Sequence, residues 1–282
     1  MTLTFAFDPV IAQWGPFQLS WHGIFTALAV MVSLWLAGRL AMQRGIPSEE
    51  VYGIAGWSIA GGLIGARLFH VADHLSYYLE NPLLIPAIWE GGIAVYGAFI
   101  GGLVGGFIAA WRSHLDPWPL LDIAAPSMLV GQGIGRLGCL CNGDAWGGDA
   151  TGCPFSLAIR YTNQDDLLPA NLRGVPTYAY PLYEIAAEAL LLATLWLFRD
   201  RLRQRPGLTF LVGSIGYGII RFGLTYYRQE VAVVWGLQEA QVIAVITTLI
   251  ALGFLMWRID AADSGCRPGQ RCLRHAASER CR

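Results

Sequence analysis

Two arginines stand in one apolar stretch, GYGIIRFGLTYYRQE, at positions 221 and 228. On a helix, Tyr217, Arg221, Thr225 and Arg228 fall at i, i+4, i+8 and i+11, which places them on one face. A face with two guanidiniums, a phenol and a hydroxyl is a poor surface for lipid and a good wall for an anion. The rigid fork of donors on Arg suits phosphate. Intramolecular salt bridges to Glu184 or Asp144 are the competing use of these charges. A second constellation is GRLGCLCNGDAWGG, residues 135–148, at the end of a long apolar run. It sets Arg136 among glycines and follows it with Asn142, Asp144 and Gly147. A charge at such depth is costly and rarely faces lipid.

Further polar residues sit in apolar surroundings. Tyr96 opens the glycine-rich run of WEGGIAVYGAFIGGLVGG, in which Gly97, Gly101 and Gly105 have the small-xxx-small spacing that lets helix backbones approach. Tyr96 is expected to face the interior of a helix bundle. His22, in SWHGIF, is placed to face the same cavity. Arg67 closes GGLIGAR, where Gly61 and Gly65 again permit close approach; a structural use, as an interfacial or internally paired cation, stands beside a use in the site.

The six cysteines are Cys139, Cys141, Cys153, Cys266, Cys272 and Cys281. No two pairs have zinc-finger spacing, so no metal and no cofactor are expected. A disulfide between Cys141 and Cys153 remains open, with free thiols the favoured state. Cys139 and Cys141 are read as packing rather than as a covalent relay, because buried Cys is usually inert.

The elements that must position these residues are membrane helices. Of the 282 residues, 55% are hydrophobic and only 14% charged, against about 25% charged in soluble domains. The 34 glycines and 11 tryptophans fit the same class. The net charge of −1 gives no sign of a nucleic-acid partner, and none is expected. The first residues lack a basic region and a small-residue cleavage site, so no removable signal peptide is expected. A spanning helix needs about 20 apolar residues, and seven segments qualify: 19–40, 52–72, 88–111, 118–139, 181–199, 208–227 and 237–257. Arginines cluster after the first, third, fifth and seventh of these: Arg39 and Arg44, Arg112, the run RDRLRQR from Arg199, and Arg258 with the tail. That alternation puts the N-terminus outside and the C-terminus in the cytoplasm. The expected fold is an all-α polytopic membrane protein of seven spans. Residues 1–258 form its membrane domain, with a small outer-face head at about 141–179 between spans four and five. A polar tail over 259–282 is expected to be disordered. Nothing demands more than a monomer.

Taken in order, WHGIF, GGLIGARLFHV, WEGGIAVYGAFIGG, GRLGCLCNGDAWG, YPLYE, GYGIIRFGLTYYRQE and a last span holding Gln241 resemble the bacterial prolipoprotein diacylglyceryl transferases over residues 10–258. The resemblance implies a multi-pass enzyme of the inner membrane that moves a diacylglyceryl group from phosphatidylglycerol to the lipobox Cys thiol of a prolipoprotein. The products would be a thioether and glycerol phosphate. It implies Arg136 and Arg221 as the essential arginines. Tyr217, Asn142, Gly147, Arg228 and His22 join them around the lipid head group, and Tyr96 and Asp144 stand where a proton acceptor is needed. The chain departs from the family pattern at several positions. Tyr96 replaces a frequent His, Cys139 an Asn, Asp144 a Glu, Thr225 a frequent Glu, and Tyr178-Ala179 the usual His-Pro. The phosphate-binding positions are thus better kept than those that would accept a proton. A relative that binds anionic lipid or moves another group is the second reading, and an anion transporter the third.

Overall fold

The computed structural model describes residues 1–263 apart from 7, 16, 89–90, 93, 154–155, 164–166 and 229–231. The side chains at 17, 95, 96 and 260–263 also fall outside the description, as does the tail from 264. The chain is mostly helical. In order, the helices among the described residues are α1 (Trp21–Met42), α2 (Ser48–Asp73), α3 (Leu75–Glu80), α4 (Val95–Arg112), α5 (Pro117–Asn142), α6 (Tyr180–Leu197), α7 (Arg199–Leu202), α8 (Leu208–Thr225) and α9 (Glu239–Asp263). Each segment expected to span coincides with one of them. Five, namely α1, α2, α6, α8 and α9, are long and apolar enough to cross a membrane. α4 is apolar as well over its described side chains, Gly97–Arg112. α5 carries Pro126 inside it, where one backbone bond is lost and the helix axis is free to bend.

Short strands appear where only loops and a head were expected: β1 (Thr2–Phe5), β2 (Val10–Trp14), β3 (Phe17–Ser20), β4 (Ala158–Tyr161), β5 (Thr177–Tyr178), β6 (Ala232–Val234) and β7 (Leu237–Gln238). β2–β3 and β6–β7 are antiparallel pairs. β1 runs parallel to β4, with Thr2 opposite Ala158, and β4 is antiparallel to β5. Pairing between segments so distant in sequence leaves little local signal, which is why it was not foreseen.

The chain divides into two units, Met1–Phe25 with Gly133–Arg282, and Thr26–Gln132. In the second unit, α2 and α4 meet through glycines: a Cβ on Gly61 would lie 2.5 Å from the Gly101 carbonyl oxygen. Gly65 and Gly97 meet in the same way. Arg67 is used there as an internal clamp. Its guanidinium donates to the carbonyls of Ile85 at 2.7 Å, Gly91 at 2.7 Å, Gly92 at 2.9 Å and Leu84 at 2.5 Å. Of the uses open to Arg67, internal pairing is the one observed. Buried Asp122 is held by Arg44 at 3.2 Å beside a core of Ala37, Leu40, Ala41, Val51 and Ile123.

The first unit carries a small core of Leu140, Ile159, Tyr161, Leu168, Leu172 and Ala179. It ties the sheet to the end of α5, with the Tyr161 hydroxyl donating to the Leu140 carbonyl at 3.1 Å. Gln241 in α9 is 1% exposed and donates to the Phe222 carbonyl of α8 at 3.4 Å.

Candidate functional site

Within the first unit, Arg136 from α5 and Arg221 from α8 converge on one carboxylate, Glu184 of α6. Arg136 Nε lies 2.5 Å from Glu184 Oε2, and Arg221 Nη1 binds Glu184 Oε1. Glu184 is 1% exposed. Tyr180, one helical turn earlier, completes the knot: its hydroxyl accepts from Arg221 Nη1 at 2.8 Å and donates to Glu184 Oε1 at 2.9 Å. The guanidinium of Arg228 sits 5.1 Å from the centre of the Tyr180 ring, a cation–π distance. Tyr217, one turn before Arg221 on α8, interacts electrostatically with both arginines.

The sequence explains this convergence. Tyr180, Glu184 and Glu188 recur every four residues and therefore share a face of α6. All three are buried. A carboxylate in a helix this apolar requires a partner, and the two arginines supply it. Both guanidiniums are drawn to the Glu184 carboxylate, and Glu188 lies one turn further along the same face. Each guanidinium carries five N–H donors; Arg136 Nε is ion-paired with Glu184 and Nη1 donates to Cys139 Sγ at 3.9 Å. The arrangement holds two forks rigidly in a low-dielectric setting with donors to spare for an anion.

The ion pairs with Glu184 match one of the two competing uses of the arginines, and they coexist with a surplus of cationic donors. The i, i+4, i+8, i+11 face is only partly formed. α8 ends at Thr225, and Arg228 lies past it in a turn. The Thr225 hydroxyl donates back to the Arg221 carbonyl at 2.5 Å, and the residue is fully buried, so it offers nothing to a ligand. The Tyr227 carbonyl leaves the helical pattern to accept from the Gly148 N–H at 2.7 Å. Arg228 nevertheless reaches the site, through Tyr180 rather than along the α8 face.

The GRLGCLCNGDAWGG stretch is the end of α5 and the turn after it. Gly138 lets α5 pass close to the start of α1, since a Cβ there would lie 3.1 Å from the His22 Cα. At Gly135 the corresponding space is open. Asn142 Nδ2 donates to Asp144 Oδ2 at 2.9 Å, and His22 Nδ1 lies 3.5 Å from the same oxygen. Gly147 backs onto Tyr178, whose carbonyl oxygen would be 2.6 Å from an added Cβ, so close packing accounts for it. The Tyr178 hydroxyl pairs with Cys153 Sγ at 3.2 Å, a bond that raises the phenol above its ordinary pKa. Cys139, Cys141 and Cys153 are free thiols, so the open disulfide between Cys141 and Cys153 is absent. Tyr96 lies near the start of α4 in the other unit, and its side chain is outside the described residues.

Sequence reasoning offered Glu184 as one of two partners for the arginine face, but missed that both arginines meet on it and missed the part played by Tyr180. The signal was present in YPLYEIAAE, an acid-bearing face on an otherwise apolar helix. What was lacking was knowledge of which charged faces meet.

Comparison with known proteins adds an independent line. The sequence profile described as "Prolipoprotein diacylglyceryl transferase" matches residues 9–257. A protein of Thermosynechococcus vestitus named phosphatidylglycerol–prolipoprotein diacylglyceryl transferase is 35% identical over 85% of this chain and 87% of its own length. Proteins of the same name from Limosilactobacillus reuteri, 32% identical over 90% of this chain and 92% of theirs, and Lactiplantibacillus plantarum, 34% identical over 91% of both, are similar to it as well.

Proposed function

This chain belongs to the prolipoprotein diacylglyceryl transferase family, and from that premise we propose that it transfers the diacylglyceryl group of phosphatidylglycerol to the lipobox Cys of prolipoproteins. The convergence of Arg136 and Arg221 on Glu184 carries the reading. The acceptor sulfur attacks the glyceryl carbon that bears the phosphate ester. An S–C bond forms, the C–O bond to phosphate breaks, and glycerol phosphate leaves. Negative charge grows on the leaving phosphate, so the chemistry asks for fixed cationic donors at that oxygen.

Arg136 and Arg221 are those donors, and Glu184 with Tyr180 holds their forks in register. Tyr217 and Arg228 flank the phosphate, while Asn142, Gly147 and His22 shape the surround through the turn after α5. The thiol must lose its proton to attack. Asp144 and Tyr96 are the two acceptors proposed for it, and a thiolate stabilised by the arginines alone is the alternative. The chain spans the inner membrane seven times with its N-terminus outside. The segment 141–179 is a small outer-face head, the tail from 259 is cytoplasmic, and the working unit is a monomer. Lipid enters sideways from the bilayer, and the prolipoprotein approaches from the outer face.

The test is complementation. In cells depleted of their own transferase, expression of this chain restores the gel shift of a reporter prolipoprotein. An unshifted reporter beside normal amounts of the chain in the membrane would overturn the proposal.

A further inference from the structure

Three donor atoms of different kinds meet beside the arginine pair. His22 is in the first turn of α1, Cys139 in the last turns of α5, and Asp144 follows the end of α5. One donor from each, the imidazole nitrogen, the sulfur and a carboxylate oxygen, lie within 4.8 Å of one another. His22 Nδ1 and Asp144 Oδ2 are 3.5 Å apart. Tetrahedral zinc holds N, O and S ligands about 3.3–3.8 Å from one another, so the pair needs no movement and the sulfur only a small one.

A second observation points the same way. His22 Nδ1 and Asp144 Oδ1 are shielded from solvent and have no hydrogen-bond partner among the described residues. The Nδ1–Oδ2 approach at 3.5 Å lacks hydrogen-bond geometry. Buried polar atoms left unpaired cost about 1–3 kcal/mol each, and a shared cation would relieve both.

We propose that His22, Cys139 and Asp144 form a three-ligand site for a zinc-class divalent cation, with the fourth position open. The donor set decides the class: magnesium and calcium take oxygen ligands, whereas thiolate, imidazole and carboxylate together suit zinc or cobalt. Charge balance agrees. A thiolate and a carboxylate cancel the two charges of the ion. The site does not rest on the transferase reading, and a bound cation would occupy Asp144 and leave the acceptor role to Tyr96 or the arginines.

Cobalt titration tests it on the full chain in detergent, carrying Cys266→Ser, Cys272→Ser and Cys281→Ser so that tail thiols do not contribute. One equivalent of cobalt gives a thiolate charge-transfer band in the near ultraviolet and four-coordinate visible bands, and zinc displaces both. Cys139→Ser and, separately, Cys139→Asn abolish the charge-transfer band and weaken zinc binding at least about tenfold. Cys141→Ser leaves it intact. No band in the parent chain, or a band that survives both Cys139 substitutions, overturns the proposal. The first of these outcomes needs no substitution at Cys139, so a folding defect cannot mask it.

Discussion

Arg136 and Arg221 share one counter-charge, and that sharing governs how each responds to substitution. Removing one donor aimed at developing charge costs about 3 kcal/mol, or about a hundredfold in rate. Arg221→Ala and Arg136→Ala are each expected to lower transfer at least that far, with the chain still present in the membrane by immunoblot. Because both bind Glu184, the double substitution should cost less than the two single costs added together. A strictly additive cycle would show two separate arginine sites. Glu184→Gln keeps the shape and removes the charge that aligns the forks, so it should lower transfer at least about tenfold. Full activity in Glu184→Gln would mean that the knot is only a strut. For the proton acceptor, Tyr96→Phe and Asp144→Asn are to be compared by transfer rate. Loss in one assigns the role to it, and no loss in either removes both. At this scale the sequence was informative about which residues are charged where charge is costly. It offered Glu184 and Asp144 alike as partners and could not choose between them, because a face can be read from spacing but the face opposite cannot.

The glycine spacing of α2 and α4 was legible for a physical reason: contact between backbones leaves its mark as missing side chains. A Cβ on Gly101 would run into the Gly61 carbonyl. Gly101→Val should therefore lower the thermal midpoint in detergent, by an overpacking cost of about 1–3 kcal/mol or more. Gly223→Ala on α8, with nothing within 4 Å of the added carbon, should not lower it. Equal effects of the two would remove the close-packing account. Other element-scale features were harder to read. The helical period was carried through to Arg228, yet α8 stops at Thr225, whose hydroxyl turns back onto the Arg221 carbonyl. The pairing of β1 with β4 joins residues 2–5 to 158–161, and strands of four residues show too little alternation to announce it. His22 and Cys139 are likewise far apart in the chain, and only the gap left by Gly138 brings their helices together.

At the scale of the whole molecule, hydropathy and loop charge set the plan. Seven expected spans each fall on a helix, while five meet the length and apolarity of a membrane crossing on their own. α5 misses that mark because proline, glycine and polar residues stand among its apolar ones. The proposed orientation is testable with single cysteines introduced into a chain whose native cysteines are replaced. Asp200→Cys, in the Arg-rich run after α6, should react with an impermeant maleimide only after the cells are opened. Leu167→Cys, exposed in the proposed head, should react in intact cells. The reverse pattern would invert the topology and put the site on the wrong side for exported prolipoproteins. The central claim is that Arg136 and Arg221 bind the departing phosphate of phosphatidylglycerol, and purified chain in vesicles tests it most directly. With a lipobox peptide and vesicles containing phosphatidylglycerol, the account predicts a thioether-linked diacylglyceryl peptide and matching release of glycerol phosphate, both lost in Arg221→Ala. Transfer at the wild-type rate in Arg221→Ala, or from vesicles without phosphatidylglycerol, would contradict it.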